Sequence, residues 1–456
     1  VFFLNYIYFS SSYQQKSHIR FYMNISKKRK AGKVNKETLC FLPIMAAVFY
    51  LTFGAPGSFF KEVLADGIDW WVLRLKKMLI WADVNETLRT LVIDGICRGI
   101  GSVLSFLPVI GLLFLCLCTL EECGYMEKVS QDMDRIFRPL GLPGRAIVPL
   151  LSGFGCSAVA ILAAGELRDR RARLRTIFLI PFMSCSAKIP IYGMLAAALF
   201  PRSAAAVIVF LYFFGIAMAA LLAFVTHKQR REENRGMAGR GNCAACSGCA
   251  GCGEQSCSTL VQRLSRLPDR RRVSRVLLRT WENMRGFMKK AFTVIFLASA
   301  IIWLLENFDC TFHLAASPDR SILASIGRHA APLFAPLGFG DWRAATALLA
   351  GLSAKEAVVS TLTVLSLTVG TGGIGTGGAG SGAAAVSVLS EIFTPISALS
   401  FLIFCLLYVP CAATLATVYK VTGSRKYAAA MAVFQTALAW LAAFTVYHIG
   451  ILAGLN

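Results

Sequence analysis

Three cysteines of this sequence stand beside helix-interrupting residues within long apolar runs. They are Cys156 in GFGC, Cys185 in PFMSCSAKIP and Cys411 in YVPC. Proline removes a backbone donor and glycine lets the chain turn, so each position can offer carbonyl oxygens beside a polarizable thiol. This combination suits a transition metal ion better than Mg²⁺ or Ca²⁺, which prefer oxygen ligands. The alternative for each is a cysteine that packs as a small hydrophobic residue.

Charged side chains inside apolar runs form a second candidate group, because a charge at membrane depth is costly and usually functional. Lys355 and Glu356 fall in the middle of GLSAKEAVVST, and Lys188 lies in the run that contains Cys185. We predict that Glu356 either coordinates an ion or forms an intramembrane ion pair with Lys188 or Lys355. Glu121 ends another apolar run, where an interfacial position costs a carboxylate little.

A cysteine-rich segment, CAACSGCAGCGEQSC, forms a third group of thiols. Its members are Cys243, Cys246, Cys249, Cys252 and Cys257. The C-x2-C spacing lets neighbouring thiolates converge on one soft metal ion, so iron or an iron–sulfur cluster is the candidate ligand. We interpret the segment as a cytosolic loop that collects metal, and a linker without a ligand is the alternative.

The elements that must position these residues are those of a membrane protein. Hydrophobic residues make up 56% of the 456 residues and charged residues 16%, against about 45–50% and about 25% in soluble domains. This balance excludes an ordinary cytosolic enzyme. A span needs about 20 apolar residues, and eight runs approach that length. They lie near 39–60, 96–120, 176–200, 204–226, 289–306, 344–367, 397–419 and 427–452. The sequence therefore predicts an all-α, polytopic helical membrane protein with about eight spans and broken or re-entrant helices.

The segment 146–164 is apolar but contains Pro149 and two glycines. The basic linker 227–290 carries fifteen Lys and Arg against five acidic residues, so the positive-inside bias places it in the cytoplasm. The same bias places the arginine cluster at 168–175 inside. A basic N-terminal segment should be cytosolic for the same reason. The linker, the arginine cluster and this segment can all lie on the cytoplasmic side only if 146–164 enters and leaves the membrane by the same face. We therefore predict that 146–164 is re-entrant or broken, and that the N- and C-termini are cytosolic.

Charge and composition divide the chain into four predicted parts. These are an N-terminal cytosolic basic segment (1–38), a first membrane half (39–226), a basic Cys-rich cytosolic linker (227–288) and a second membrane half (289–456). The sequence contains no G-x-x-x-x-G-K-[ST] run, so no nucleotide is expected to bind this chain through a P-loop. The basic linker suits topogenic charge or an anionic-lipid contact, so membrane lipid, and not nucleic acid, is the expected partner.

Five stretches, in order along the chain, resemble the membrane part of the ferrous iron transport protein B family. They lie at 99–156, 180–200, 281–308, 332–362 and 406–423 and include LEECGYM, PFMSCSAKIP, GLSAKEAVV and YVPCAAT. The resemblance implies that Fe²⁺ is the transported ion and that it crosses the cytoplasmic membrane. It also implies two gate-like repeats, one around Cys156 and one within 344–419.

The resemblance further implies metal-ligating roles residue by residue. Cys156, Cys185 and Cys411 match the pathway cysteines of the family's first gate motif, Cys-Ser-Ala-Arg/Lys motif and Pro-Cys motif. Glu121 matches the acidic residue of the Leu-Glu-Asp-Ser-Gly-Tyr-Met motif. The first gate departs from the family's Gly-Cys-Asn-Val-Pro-Ala, since GCSAVA lacks the amide and the proline.

The family carries an N-terminal G domain, for which this sequence offers no motif. We therefore expect a ferrous-iron permease and not an enzyme, gated by a separate G-domain protein in trans. Small accessory iron-transport proteins and a homo-oligomer are further expected partners. A membrane-bound metal sensor or scaffold using the Cys-rich loop is one alternative, and a truncated nonfunctional copy is another. Gate-domain nucleoside carriers fit less well, because ribose and base need polar side chains where the breaks carry thiols.

Overall fold

The computed structural model describes most of the chain. The described ranges are 41–82, 107–123, 125–238, 270–309, 317–370 and 389–454, with single residues at 85, 89, 92, 93, 97, 101, 104, 311, 313 and 315. The N-terminal segment 1–38 and the Cys-rich segment 243–257 lie outside these residues. Metal ligation by the five cysteines of that segment therefore stays a prediction.

The described residues confirm the all-α prediction. The first half contains α1 (Phe41–Phe53), α2 (Ala55–Trp81), α3 (Leu107–Glu122), α4 (Tyr125–Phe137), α5 (Ile147–Gly155), α6 (Ser157–Gly165), α7 (Arg170–Leu179), α8 (Ile189–Leu199) and α9 (Ala204–Ala238). The second half contains α10 (Arg270–Asn307), α11 (Ile322–Phe334), α12 (Trp342–Ala350), α13 (Ala357–Gly370), α14 (Pro395–Leu407), α15 (Ala412–Thr422) and α16 (Arg425–Leu452). Four described stretches are long and apolar enough to cross a membrane: 170–199, 204–227, 395–422 and 425–452.

Four apolar runs are interrupted near their centres. The pairs are α5 and α6, named hairpin 1; α7 and α8, named broken helix 1; α12 and α13, named hairpin 2; and α14 and α15, named broken helix 2. Their interruptions, which we call breaks 1 to 4 in chain order, are Cys156, residues 180–188, residues 351–356 and residues 408–411. Proline explains part of this pattern, because Pro410 cannot donate the helical hydrogen bond to Leu406.

One end of the molecule carries the arginine cluster at 168–175 and is named the basic end. Tyr427, at the start of α16, donates its hydroxyl to the carbonyl of Leu174 at 2.8 Å. A Cβ atom on Gly165, the last residue of α6, would lie 3.1 Å from Cγ1 of Val421. The ends of hairpin 1 and broken helix 2 and the start of α16 therefore meet at the basic end.

Hairpin 1 enters and leaves at the same end of the molecule, which agrees with the prediction for 146–164. Its entry is at the basic end, because Arg175 donates from Nη1 to the carbonyl of Gly141 at 3.1 Å, and its exit at Gly165 lies at the same end. The chain reverses at Cys156, whose backbone is extended with φ −144° and ψ 117°. Each nine-residue leg is about 13 Å long, which is about half the thickness of a 30 Å hydrocarbon core.

Helix α14 packs antiparallel against the C-terminal half of α16. Ser400 donates from Oγ to the carbonyl of Ala443 at 3.1 Å, and a Cβ atom on Gly450 would lie 2.9 Å from Cγ2 of Ile396. The 28 residues of α16 extend about 42 Å, which carries Leu452 to the end opposite the basic end. The sequence predicts that the arginine cluster and the end of α16 lie on the same, cytoplasmic side. The structure instead places them at opposite ends of the molecule.

Hairpin 2 corrects the prediction of one continuous span at 344–367. Thr361, one turn into α13, donates to Oε1 of Glu306 at 3.1 Å, in the last turn of α10. Gly338, four residues before α12, abuts the ring of Tyr447 in the last turns of α16. Both legs thus return toward the end opposite the basic end. A hairpin of two short apolar legs has the composition of one long span, so apolar content alone could not separate them.

We expect Gly338→Ala to destabilise the protein more than Gly423→Ala. Both glycines have left-handed φ, +86° and +69°, but only the Cβ at 338 would overlap a neighbour, the Tyr447 ring. The left-handed conformation costs about 1–2 kcal/mol at either position, and the overlap adds to it at Gly338. Thermal unfolding midpoints of the two variants in detergent measure the difference. Equal midpoints would contradict the packing of the hairpin 2 entry on α16.

Candidate functional site

The four breaks meet in pairs at the centre of the molecule. Ser186 in break 2 donates from Oγ to the carbonyl of Gly155, next to break 1, at 2.9 Å. The amide of Ala412, next to break 4, donates to the carbonyl of Leu352 in break 3 at 2.9 Å. Each hairpin tip is therefore hydrogen-bonded to one broken helix. We call this central group of four breaks the break region.

The break region brings together the three predicted pathway cysteines. Cys156 lies close enough to Cys185 and Cys411 to interact with both electrostatically. All three side chains are partly exposed, whereas neighbouring Gly155 and Pro410 are buried. Partial exposure of a thiol at a helix break is what contact with a passing ion requires. Cys411 also contacts the hydroxyl of its own helix, with Sγ 3.2 Å from Oγ1 of Thr414.

The three thiols do not form a ready-made metal centre. Among the residues that the structure describes, no three His, Cys, Asp or Glu side chains are grouped closely enough to hold a metal ion. The eight cysteines in the described part of the chain form no disulfide bond with one another. The arrangement can therefore offer one or two thiols at a time, together with carbonyl oxygens of the breaks.

Two lysines occupy the same region, and both are 3% exposed. Lys188 donates from Nζ to the carbonyl of Leu406 at 2.7 Å and to that of Pro181 at 3.3 Å. Lys355 donates from Nζ to the carbonyl of Val409 at 2.9 Å. The same ammonium lies 3.0 Å from the ring centroid of Tyr408, a cation–π contact.

The predicted ion pair of Glu356 with Lys188 or Lys355 is replaced by these carbonyl contacts. Glu356 is partly exposed, and it interacts electrostatically with Lys61 of α2. Adjacent residues in break 3 thus point in different directions, with Lys355 toward the thiols and Glu356 toward α2. This geometry leaves ion coordination by Glu356 as a prediction at a position apart from the thiol group.

Glu121 lies away from the break region. It ends α3 beside Glu122, whose carboxylate is 3.5 Å from Nη1 of Arg279. The charges that act on Glu121 are Glu166, Arg279 and Glu122. Glu166 directly follows hairpin 1, so this carboxylate group lies at the basic end. A role for Glu121 would therefore be at the mouth of a pathway and not at its centre.

Sequence reasoning missed the lysines as members of the thiol site and overlooked a buried glutamine. Gln435 is fully buried in α16, and neither its Oε1 nor its Nε2 has a hydrogen-bond partner. The hydroxyl of Tyr408, in break 4, is likewise buried without a partner. The lysines had a usable signal, because the tripeptide Ser-Ala-Lys occurs at both 186–188 and 353–355.

Comparison with protein-family models gives one match, described as Gate: Nucleoside recognition. It covers residues 103–199 and 288–425, and therefore includes all four breaks. The two matched segments are separated by the basic linker. The match agrees with the prediction of two gate-like repeats. No solved structure matches the chain.

Curated relatives cover nearly the whole chain. The Fe(2+) transporter FeoB of Staphylococcus aureus strain MSSA476 is 34% identical over 414 residues, which are 90% of this chain and 57% of the relative. FeoB of Campylobacter jejuni is 31% identical over 456 residues, covering 97% of this chain and 68% of the relative. A Porphyromonas gingivalis relative named as a fusion of Fe(2+) transport protein A and FeoB is 30% identical over 449 residues, covering 90% and 50%. The chain thus spans little more than half the length of the Staphylococcus relative.

Proposed function

Since this chain belongs to the family of the Fe(2+) transporter FeoB, we propose that its break region forms the passage for ferrous iron through the cytoplasmic membrane. One observation supports the proposal: Cys156, Cys185 and Cys411 lie partly exposed at three helix breaks, and Cys156 is within electrostatic range of the other two. Irregular backbone at membrane depth is tolerated only where it is buried in protein or lines a watery cavity. Thiols and carbonyls there can replace the water ligands of Fe²⁺ as it crosses.

The proposed orientation follows from the basic end. Its arginines and the basic linker suit the cytoplasmic face, so hairpin 1 enters from the cytoplasm and hairpin 2 from the outer side. This orientation puts Leu452 outside and replaces the expectation of a cytosolic C-terminus. Glu121 then lies at the cytoplasmic mouth, and the Cys-rich segment 243–257 is proposed to collect iron on the same face.

The proposed partners come from the family. The family resemblance implies a G domain, and we propose that such a domain gates the passage. One relative is named as a fusion with Fe(2+) transport protein A, which supports a small accessory protein of that kind as a second partner. A metal sensor that uses the Cys-rich segment is the competing proposal, since it would bind iron without moving it.

Anaerobic uptake of ⁵⁵Fe²⁺ into proteoliposomes containing this chain tests the proposal. We expect saturable uptake above that of protein-free vesicles, either with the chain alone or on addition of a G-domain protein and GTP. Uptake of tritiated uridine into the same vesicles tests nucleoside transport. This second function is suggested by the name of the matched family, Gate: Nucleoside recognition. Uridine uptake without iron uptake, or no uptake of either, would contradict the proposal.

A further inference from the structure

Both copies of the Ser-Ala-Lys tripeptide end in a lysine that is directed at break 4. The first copy belongs to break 2 and the second to break 3, so the two lysines approach broken helix 2 from different halves of the chain. Their carbonyl acceptors, on Leu406 and Val409, are only three residues apart. The two ammonium groups also lie within electrostatic range of each other.

The acceptors are carbonyls that the helix cannot satisfy by itself. In an unbroken helix the Leu406 carbonyl would accept from residue 410, but Pro410 has no N–H. Carbonyls at a helix end need other partners, and a buried carbonyl left alone costs free energy. Oxygen atoms of this kind are also ligands for a metal cation. The ammonium group of Lys188, 2.7 Å from the Leu406 oxygen, occupies a position that a cation could take.

The charge around these lysines opposes a divalent cation. The titratable groups that face Lys188 and Lys355 are the two amines themselves and the thiols of Cys185, Cys405 and Cys411, and none of them is a carboxylate. When both amines are protonated, their two positive charges in a low-dielectric environment repel a third cation strongly. A divalent ion next to Cys411 therefore meets two like charges that already hold the nearby carbonyl oxygens.

On the basis of the proposed function, we propose that Lys188 and Lys355 are built-in cations that hold the carbonyls of break 4 and exclude the transported ion from the position beside Cys411 until their ammonium groups leave. They set the affinity for the ion in this state of the protein. The ring of Tyr408 helps to hold the Lys355 ammonium in place. The Pro181 carbonyl, which is the second acceptor of Lys188, does the same for the Lys188 ammonium. A lysine that only cross-linked the breaks would provide the same hydrogen bonds without affecting ion affinity.

Co²⁺ binding to the full chain in lipid nanodiscs separates these roles, with thiolate-to-cobalt charge-transfer absorption as the signal. All variants, and the reference chain called wild type in this experiment, carry serine in place of the five cysteines of the Cys-rich segment, so that its thiolates do not contribute to the absorption: Cys243, Cys246, Cys249, Cys252 and Cys257. The variant K188Q/K355Q keeps amide donors but removes both charges, and we expect it to bind Co²⁺ at least tenfold more tightly than the wild type. The variant K188R/K355R keeps both charges and should show no such gain. Lys420→Gln, on exposed helix surface, is the matched single-charge control.

The control Cys411→Ser distinguishes failure of this inference from failure of the proposed function. An absorption signal that is equal in wild type and Cys411→Ser would contradict a role for this thiol in the pathway. A Cys411-dependent signal with no affinity gain in K188Q/K355Q would overturn the inference alone. If the double variant does not fold, K188Q and K355Q are measured singly, and unchanged affinity in both has the same meaning.

A measurement on the wild-type chain avoids substitution altogether. If Co²⁺ displaces the ammonium groups from their carbonyls, saturating Co²⁺ should raise acetylation of Lys188 and Lys355 by a small amine reagent several-fold, as read by mass spectrometry. Lys420 should be acetylated equally with and without the metal. Co²⁺ binding with no rise at either buried lysine would overturn the displacement.

Discussion

Replacing Cys411 with serine is expected to lower the initial rate of ⁵⁵Fe²⁺ uptake at least tenfold. The thiol lies partly exposed in break 4 and within electrostatic range of Cys156. A serine hydroxyl has nearly the same size but lacks the soft sulfur donor that a transition metal ion prefers. The hydroxyl can keep the contact that Sγ makes with Thr414 at 3.2 Å, so the fold should be retained.

Cys118→Ser provides the matched control for this loss. Cys118 is also a thiol of an apolar helix, 3% exposed in α3, but it is not one of the two thiols that interact electrostatically with Cys156. We expect its variant to transport at nearly the wild-type rate. Cys156→Ser and Cys185→Ser should each reduce uptake as Cys411→Ser does. Wild-type rates in all three pathway variants would contradict a thiol-lined passage, even if the unmodified chain transports iron.

Replacing Gly215 with leucine is expected to destabilise the protein and abolish uptake. Gly215 lets α9 approach break 2, because a Cβ atom there would lie 2.7 Å from the carbonyl oxygen of Phe182 and 3.4 Å from Cδ1 of Leu406. The first neighbour is backbone and cannot rotate away, so α9 or the break must move. Overpacking of this kind costs about 1–3 kcal/mol, and movement of break 2 would also displace the carbonyl of Pro181 that Lys188 contacts.

Gly193→Leu separates this effect from the general cost of a larger side chain. Gly193 lies in α8 of the same half, and a Cβ atom there would meet no atom within 4 Å. Thermal unfolding in detergent should show a midpoint lowered by several degrees for Gly215→Leu and nearly unchanged for Gly193→Leu. Equal midpoints, or full uptake by Gly215→Leu, would contradict the close contact between α9 and break 2.

Charge asymmetry and helix breakers in the sequence predicted hairpin 1 correctly. The arginine-rich flanks required 146–164 to return to the face it entered, and Gly155 beside Cys156 indicated where. The same reasoning failed for 344–367, because the loops around this run carry no comparable charge bias. Its reversal depends on tertiary contacts: the Leu352 carbonyl accepts from Ala412, and Gly351 leaves space for the Tyr408 hydroxyl. These partners lie some 60 residues away in the chain.

The sequence by itself determined the class of protein through its apolar content and the family through its motifs. It also identified the three cysteines at interrupted helices, because proline and glycine act locally on the backbone. Only the tertiary structure decided the direction of each charged side chain. Lys188 and Lys355 turn to backbone carbonyls left unpaired in another helix, and Glu356 turns toward α2. A buried charge takes whichever partner the packed helices bring within reach, and that choice depends on residues far apart in the sequence.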